Sequence, residues 1–266
     1  MKISFVIPAH NEEGYLAACI VSIQKALAAG TYDAEIIVVN NASTDRTHEI
    51  AASFVGVGVI DEPQKGITYA RSAGYRAATG DLIANIDADT RLPPEWLDRV
   101  MKEFGRDKNK KLVALSGPFL YYDLPLLSRV FVKFFYGLGY ATYFVNHFIL
   151  GVGAMLQGGN FVVRRSALEQ IGGYDTSIEF YGEDTDIARR LAKIGRVKWT
   201  FGLPVYTSGR RLKGEGVIAT GARYALNYFW TTFFGRPFTL KHRDVRERST
   251  FSASVVASPK EKKRGV

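Results

Sequence analysis

Short apolar runs alternate with segments of helical periodicity throughout the first 120 residues of the chain. Each short apolar run is typical of a buried strand, and between the runs apolar residues recur every three or four positions, as in a helix. This order favours a mostly parallel sheet that is covered by helices on both faces. The predicted strands cover residues 3–7, 35–39, 57–60, 82–86 and 111–115.

Capping residues mark the helices predicted between these strands. The first helix covers residues 16–27, with Asn11 as its expected N-cap, and the third covers residues 67–78. Ser43, Thr44 and Asp45 are expected to open the second helix, and Pro93 and Pro94 to begin the fourth.

Composition narrows the class of partners. The 266 residues are 47% hydrophobic, which is enough to bury a substantial core. The net charge of +9 favours phosphorylated substrates, anionic lipid or nucleic acid. The basic residues are scattered and form no recognisable nucleic-acid-binding module, so nucleic acid is not an expected partner. The single cysteine, Cys19, excludes an intrachain disulfide and favours a reducing compartment, and the first residues lack the pattern of a signal peptide.

Two later segments suit a membrane interface. The apolar insert 124–156 has no charged residue from position 134 onward apart from the titratable His147. It is interpreted as an interfacial helix pair, a buried soluble element or a membrane-spanning helix. The aromatic stretch 224–234 precedes several basic residues, which suits an interface and also an ordinary core helix. The expected units are a main domain, 1–215, a helical segment, 216–247, and a disordered basic tail, 248–266.

Two carboxylates follow the fourth predicted strand. Asp87 and Asp89 stand where open α/β sheets bind their ligands. Carboxylate and phosphate oxygens are preferred ligands of Mg²⁺ and Mn²⁺, so this pair and a divalent cation would together hold a diphosphate. Pairs of this kind also cap turns, and spacing alone leaves both interpretations open.

Three further segments have chemistry-bearing residues. Glu183 and Asp184 precede a helical pattern, where they either stabilise the helix dipole or include a general base for a hydroxyl. Arg210 and Arg211 either lie in a solvated loop or stabilise a leaving diphosphate. The glycine pair 158–159 permits close approach to a ligand or forms a turn. Phosphate-loop and zinc-protease motifs are missing from the sequence.

Taken in order, these segments resemble the family 2 glycosyltransferases, an inverting family with the GT-A fold. The resemblance covers about residues 3–215. The matching segments are 4–13, 37–45, 70–74, 78–81, 87–89, 158–160, 172–175 and 183–184. The resemblance implies a GT-A-type α/β fold, a mostly parallel sheet flanked by helices, with an apolar helical insert and a basic C-terminal tail.

The resemblance also implies roles for individual residues. The donor and its nucleotide would contact Pro8, Ala9, Glu12, Asn41, Arg71, Asp87 and Asp89. Asn41 stands where many members have an aspartate that contacts the base, so a UDP-sugar is favoured and a GDP-sugar is the alternative. Mn²⁺ or Mg²⁺ would be held by Asp89 together with Asp87. Gly159 and Asn160 would face the donor sugar or the acceptor.

For catalysis, the resemblance implies Asp184 as the base, with Glu183 beside it and Arg210 and Arg211 at the leaving group. The processive members' Gln-x-x-Arg-Trp motif is incomplete, which argues against a polymerising synthase. The expected enzyme transfers a sugar to a hydroxyl acceptor, including a lipid-linked one, in cell-envelope glycan synthesis. It would lie peripherally on the anionic cytoplasmic face of the membrane. The alternative is a catalytically idle, membrane-associated protein that binds sugar nucleotides or serves as a scaffold.

Overall fold

The computed structural model describes residues 1–145 and 154–239. The tail 248–266, residues 240–247 of the C-terminal segment and residues 146–153 of the apolar insert lie outside the described residues. The elements are β1 Ile3–Ala9, α1 Leu16–Ala28, β2 Ala34–Asn41, α2 Thr47–Ala52, β3 Val57–Glu62, α3 Ile67–Ala77, β4 Leu82–Ile86, β5 Thr90–Arg91, α4 Trp96–Arg106, β6 Leu112–Ser116, β7 Phe119–Tyr121, α5 Leu126–Phe144, β8 Asn160–Arg164, α6 Arg165–Gln170, α7 Glu183–Ala192, β9 Arg196–Trp199, β10 Val205–Thr207, α8 Arg210–Glu215 and α9 Val217–Phe234.

Seven strands form the central sheet in the order β3-β2-β1-β4-β8-β6-β9. β1 pairs in parallel with β2 and β4, β2 with β3, and β6 with β9. β8 is antiparallel to both of its neighbours, β4 and β6. The predicted mostly parallel α/β sheet is confirmed, and β8 is the strand that departs from it.

Both faces of β1 are buried, which explains its continuous apolar run. Successive side chains of a strand point to opposite faces of the sheet. Phe5 therefore packs with Ile20 of α1 and Trp96 of α4, whereas Val6 belongs to the cluster that includes Ala70 of α3. Helices therefore cover both faces of the sheet around β1.

A second, three-stranded sheet was not predicted from the sequence. Its order is β5-β10-β7, with β10 antiparallel to β5 and parallel to β7. It ends beside α8, whose start is held by Asp123. The Asp123 carboxylate accepts hydrogen bonds from the Ser208 hydroxyl at 3.0 Å, the Gly209 N–H at 2.6 Å and Lys213 Nζ at 3.0 Å. This anchor fixes where the two arginines of α8 begin.

The predicted N-cap of the first helix is wrong. α1 begins at Leu16, and Asn11 lies four residues before Tyr15, its flanking residue, with a positive φ of 53°. The Asn11 side chain accepts a hydrogen bond from the Thr44 N–H at 2.8 Å. It therefore joins the loop after β1 to the loop after β2, because its amide oxygen is used between loops and not within a helix.

Helices α5 and α9 expose apolar side chains. On α5 an exposed stripe at helical spacing consists of Leu127, Val130, Phe131, Phe134 and Leu138. The opposite side has aromatic contacts with the end of β9: Tyr136 stacks on Trp199 with ring centroids 6.1 Å apart. A soluble helix normally buries its apolar stripe, so α5 presents the reverse arrangement.

α9 packs against α5 and shows the same inversion. Its buried side chains are polar: Thr220, Asn227, Thr231 and Thr232. Its exposed side chains include Phe229, at 51% exposure, and Phe234, at 58%. Across residues 1–145 and 154–239, no helix combines the length and the hydropathy that crossing a bilayer requires.

Candidate active site

The predicted site residues converge at one edge of the central sheet. β1 and β4 are parallel neighbours, so Glu12 and Asp87, which follow them, lie at the same edge. β8 runs in the opposite direction and pairs Asn160 with Ile86. Residue 159, just before β8, therefore reaches this edge as well, and its carbonyl accepts a hydrogen bond from the Asp87 N–H at 3.4 Å.

Asp89 is a largely buried carboxylate at this edge. Burial raises its pKa to about 7, and the nearby carboxylates of Glu12 and Asp87 act in the same direction, whereas Arg210 opposes them. One carboxylate oxygen accepts a hydrogen bond from the Thr207 hydroxyl at 3.2 Å. The other lies 3.1 Å from Arg210. A carboxylate so placed needs a neighbouring cation to remain ionised near neutral pH.

Arg210 bridges two acids from distant parts of the chain. Its Nη2 donates to Glu12 Oε1 at 2.5 Å and lies 3.1 Å from Asp89 Oδ2. Its guanidinium also stacks over the Tyr15 ring, 4.7 Å from the centroid. Of the two predicted arginines, this one lies at the carboxylate cluster.

Arg211 has a different set of partners from Arg210. It pairs with Glu215 at 3.4 Å and stacks over the Phe180 ring, 4.5 Å from the centroid. It also interacts electrostatically with Tyr121 and Tyr224, whose pKa values burial raises. Nothing in the sequence distinguishes the two arginines, whereas in the structure they contact different acidic residues.

A buried arginine connects the acid pair to the helix that contains the predicted base. Arg71 is only 2% exposed; it lies 3.3 Å from Asp87 and forms a shorter ion pair with Glu183. Its charge is compensated by both carboxylates. Removing one partner of a buried pair leaves an uncompensated charge and costs about 3–5 kcal/mol. Glu183, the first residue of α7, therefore positions Arg71.

Asp184 is held by backbone N–H groups. Its Oδ2 accepts from Gly158 at 3.1 Å, and its Oδ1 accepts from Thr185 at 2.8 Å. Burial is the main cause that raises its pKa, and the hydrogen bonds oppose this. The left-handed conformation of Gly182, with φ of 81°, starts the helix at Glu183. The carboxylate is thereby fixed in orientation and remains more exposed than Glu183.

The two residues predicted to face a sugar behave differently. Gly159 has φ of 83°, and a Cβ at this position would collide with the Asp87 carboxylate, so only glycine fits. The Asn160 side chain is fully buried, and a contact between it and a sugar stays a prediction. Its Nδ2 donates to the carbonyls of Gly117 and Leu203, and its Oδ1 accepts from the Trp96 indole. Asn160 joins layers of the core.

The predicted base contact, Asn41, already has partners for all of its amide groups. Its Nδ2 donates to the carbonyls of Glu62 at 3.0 Å and Gln64 at 2.7 Å. Its Oδ1 accepts from the Gly66 N–H at 2.8 Å. Asn41 therefore shapes the loop between β3 and α3, and a contact between its amide and a base stays a prediction. Pro8 and Ala9 lie at the buried end of β1, and their contact with a nucleotide stays a prediction.

Sequence reasoning missed several residues that build the site. Thr207 binds Asp89, Tyr15 supports Arg210, and Asp123 anchors the start of α8. Thr207 stands three positions before Arg210, which is the only local signal that could have indicated it. The contributions of Tyr15 and Asp123 depend on contacts between segments that are far apart in the sequence.

Asp87 and Asp89 fit a hard divalent cation. Both offer carboxylate oxygens, and a bound cation would oppose the burial and the neighbouring carboxylates that raise the pKa of Asp89. Within the two described ranges, no three His, Cys, Asp or Glu side chains form a complete protein ligand set. The pair therefore suits a cation whose other ligands are diphosphate oxygens and water, as is usual for Mg²⁺.

The fold is that of GT-A-type glycosyltransferases of known structure. The structure of glucosyl-3-phosphoglycerate synthase from Mycobacterium tuberculosis with Mn²⁺, UDP and phosphoglyceric acid superposes with a TM-score of 0.60 and 20% identity over 87% of this chain and 78% of that chain. The mannosyltransferase PcManGT from Pyrobaculum calidifontis, solved with GDP-Man and Mn²⁺, gives a TM-score of 0.59 at 18% identity over 82% of this chain and 62% of that chain.

The sequence identifies the family. The family model described as Glycosyl transferase family 2 matches residues 4–172, and the chain belongs to this family. A curated relative from Bacillus subtilis (strain 168), described as a probable glycosyltransferase, YdaM, is 30% identical over 220 residues, which are 73% of this chain. The alignment spans 47% of that relative's length, so the present chain corresponds to about half of it.

Proposed function

We propose that this chain transfers a sugar from a nucleoside diphosphate donor to a hydroxyl acceptor with inversion at the anomeric carbon. The observation that supports this most is the convergence of Asp89, Glu12 and Arg210 at the sheet edge, connected through Asp87 and Arg71 to the start of α7. An acid pair that suits a metal-bound diphosphate thus lies beside a carboxylate that suits a base. A UDP-sugar is the favoured donor, with a GDP-sugar as the alternative.

The proposed reaction is a single in-line displacement. The acceptor oxygen forms a bond to the anomeric carbon while the bond from that carbon to the diphosphate oxygen breaks. The nucleoside diphosphate leaves with the electron pair, and Asp184 accepts the hydroxyl proton. Bound Mn²⁺ or Mg²⁺, held by Asp89 and Asp87, would neutralise charge on the diphosphate. Arg210 offers the leaving group a guanidinium, and Arg71 keeps Asp87 and the start of α7 in register.

We further propose that α5 and α9 seat the protein on an anionic membrane, where it meets a lipid-linked acceptor. Large exposed apolar side chains are costly in water and typical of interfacial helices. Residues 126–144 and 217–234 contain Arg129, Lys133 and Arg223 but no acidic residue, which suits anionic headgroups. Arg211 and Tyr224 interact electrostatically, which connects α9 with the start of α8. The cytoplasmic face and a role in cell-envelope glycans remain predictions.

Donor turnover by purified protein tests the enzymatic proposal. A panel of UDP- and GDP-sugars with Mn²⁺ should show release of one nucleoside diphosphate, with water as a slow acceptor. Asp89→Asn should reduce release at least about tenfold, since it removes one ligand charge. Asp98→Asn, on the exposed side of α4, is the matched control and should not change release. Full release in excess chelator would refute metal dependence. Donor binding without any release would favour the idle sugar-nucleotide binder.

A further inference from the structure

Arg210 contacts Asp89, the carboxylate that would bind a divalent cation in the proposed function. Asp89 has two carboxylate oxygens; Thr207 donates to one at 3.2 Å, and Arg210 lies 3.1 Å from the other. A cation that binds Asp89 at the side of Oδ2 now facing Arg210 therefore displaces the guanidinium from that oxygen. The protein already supplies a positive charge at this position.

A guanidinium displaced from Asp89 keeps only Glu12, whose Oε1 lies 2.5 Å from its Nη2, as a charged partner among the contacts described above. If a divalent cation bound alone, Arg210 would lose Asp89 and stand beside two additional positive charges, which is unfavourable in a partly buried site. If the cation arrived with a diphosphate, phosphate oxygens would accept hydrogen bonds from the same guanidinium. The diphosphate thus removes the electrostatic conflict between Arg210 and the cation.

The backbone beside Arg210 is anchored, so the exchange of Asp89 for phosphate oxygens requires movement of the side chain only. Asp123 holds the residue before it through the Gly209 N–H, and it also holds Lys213 one turn later. The Arg210 guanidinium lies against Tyr15, and its side chain is about one-fifth exposed, so it can turn toward solvent. Rotation of one long side chain is sufficient, and α8 need not move.

We infer that Arg210 is an internal counter-ion for Asp89 that yields its place to a divalent cation only when a nucleoside diphosphate binds with that cation. This inference rests on the proposed metal-dependent function and adds an order of binding to it. The metal and the nucleotide then bind with positive coupling, because each removes a cost that the other would meet alone.

Manganese binding measured by electron paramagnetic resonance tests this coupling without any turnover. Free Mn²⁺ is titrated with the purified chain, alone and with UDP or GDP, and corrected for Mn²⁺ held by free nucleotide. The wild-type chain should bind Mn²⁺ about tenfold or more tightly with the nucleotide than without it. Arg210→Gln should bind Mn²⁺ alone about tenfold more tightly than wild type, and its coupling to nucleotide should shrink.

The matched control is Arg91→Gln, which removes the same charge two positions from Asp89. The Arg91 guanidinium lies over the Tyr122 ring, so its loss should leave the coupling unchanged. Arg210→Lys retains a charge with shorter reach and should be intermediate; it also serves if the glutamine variant does not fold, as judged by its melting temperature. Equal Mn²⁺ affinity of the wild type with and without nucleotide, or unchanged coupling in Arg210→Gln, overturns the inference. Absence of Mn²⁺ binding in every variant with either nucleotide instead overturns the proposed metal dependence.

Discussion

Asn41 shows how one side chain amide can determine the shape of a loop. Its two N–H groups face two carbonyl oxygens, and its oxygen faces an N–H. Asn41→Asp would turn a carboxylate oxygen toward the carbonyls of Glu62 and Gln64. We expect unfolding free energy to fall by about 2–4 kcal/mol, because two buried hydrogen bonds are lost and oxygens face each other. Urea unfolding measures this change.

The control for this substitution is Asn109→Asp, an isosteric change at an exposed loop position. It should alter the unfolding free energy by no more than about 0.5 kcal/mol. If Asn41→Asp were as stable as this control, Asn41 would not hold the loop, and direct contact with a base would again be the better explanation of its position.

Asp184 and Glu183 are adjacent, yet their substitution should have different consequences. Asp184→Asn removes the proton acceptor and one of two anchoring hydrogen bonds, so turnover should fall about 10²–10⁴-fold with a stability loss of only about 1 kcal/mol. Glu183→Gln leaves Arg71 with Asp87 alone, and should cost about 3–5 kcal/mol of stability. Turnover and melting temperature of both variants separate the two roles. A stable Glu183→Gln beside an active Asp184→Asn would move the base by one residue.

The pH dependence of turnover gives the same assignment a second test. Burial raises the Asp184 pKa above its usual 3.8. A base must be deprotonated to accept a proton, so activity should be lost as pH falls through this raised pKa and retained above it. The acidic limb of the pH profile should therefore lie above the usual range for an aspartate. A limb at or below that range would contradict the assignment.

At the residue scale, the sequence predicted which side chains gather but not all of their partners. Asp87, Asp89 and Arg71 lie where the order of motifs placed them, because ends of parallel strands share an edge. Asn160 follows a glycine pair at that same edge, yet its side chain points into the core toward Trp96. The orientation of the Asn160 side chain depends on contacts with residues far away in the sequence. A local sequence pattern holds no information about such contacts.

At the element scale, the exposed stripe of α5 makes a prediction about lipid binding. Phe131→Glu combined with Phe134→Glu should reduce binding to phosphatidylserine-containing vesicles more than tenfold, since each buried phenylalanine contributes about 1.5–3 kcal/mol. Melting temperature should not fall, because both side chains are exposed in the protein alone. Vesicle co-sedimentation at low salt measures the binding.

The control substitution for the α5 surface is Val55→Glu, in the turn between α2 and β3, where the Val55 side chain is 94% exposed. It introduces the same charge elsewhere and should leave most vesicle binding intact. Equal binding by the wild type and the α5 double variant would refute the membrane surface. Another partner would then have to cover the apolar stripe.

Elements differed in how well their sequences predicted them. β1, β2 and β4 were predicted because each is a run of largely buried residues, whereas β3, at the edge of the sheet, has no fully buried residue. β5, with two residues, and β7 and β10, with three each, are too short for a periodic signal. In α9 the aromatic residues were visible in the sequence, but whether they faced protein or solvent depends on tertiary packing with α5.

At the scale of the whole molecule, the candidate site is closed by contacts between residues that are far apart in sequence. Arg71 and Glu183 are separated by 112 positions, and Glu12 and Arg210 by 198. Loop-closure entropy makes such contacts late in folding. In stopped-flow refolding, tryptophan fluorescence should recover before the ability to bind UDP with Mn²⁺. Recovery of both signals with one rate constant would contradict this order.

The span between Glu12 and Arg210 also affects a chain that is still being synthesised. Glu12, Asp87 and Asp89 leave the ribosome well before Arg210 does, so the growing chain carries its acidic cluster without the charge that later balances it. During that interval Arg71, which is made earlier, can pair with Asp87, whereas Arg210 is not yet there to balance Glu12 and Asp89, and protons or ions from the surrounding solution can take its place. Competence to handle a sugar donor is consequently acquired late in synthesis, and an incomplete chain has no means of consuming the donor pool.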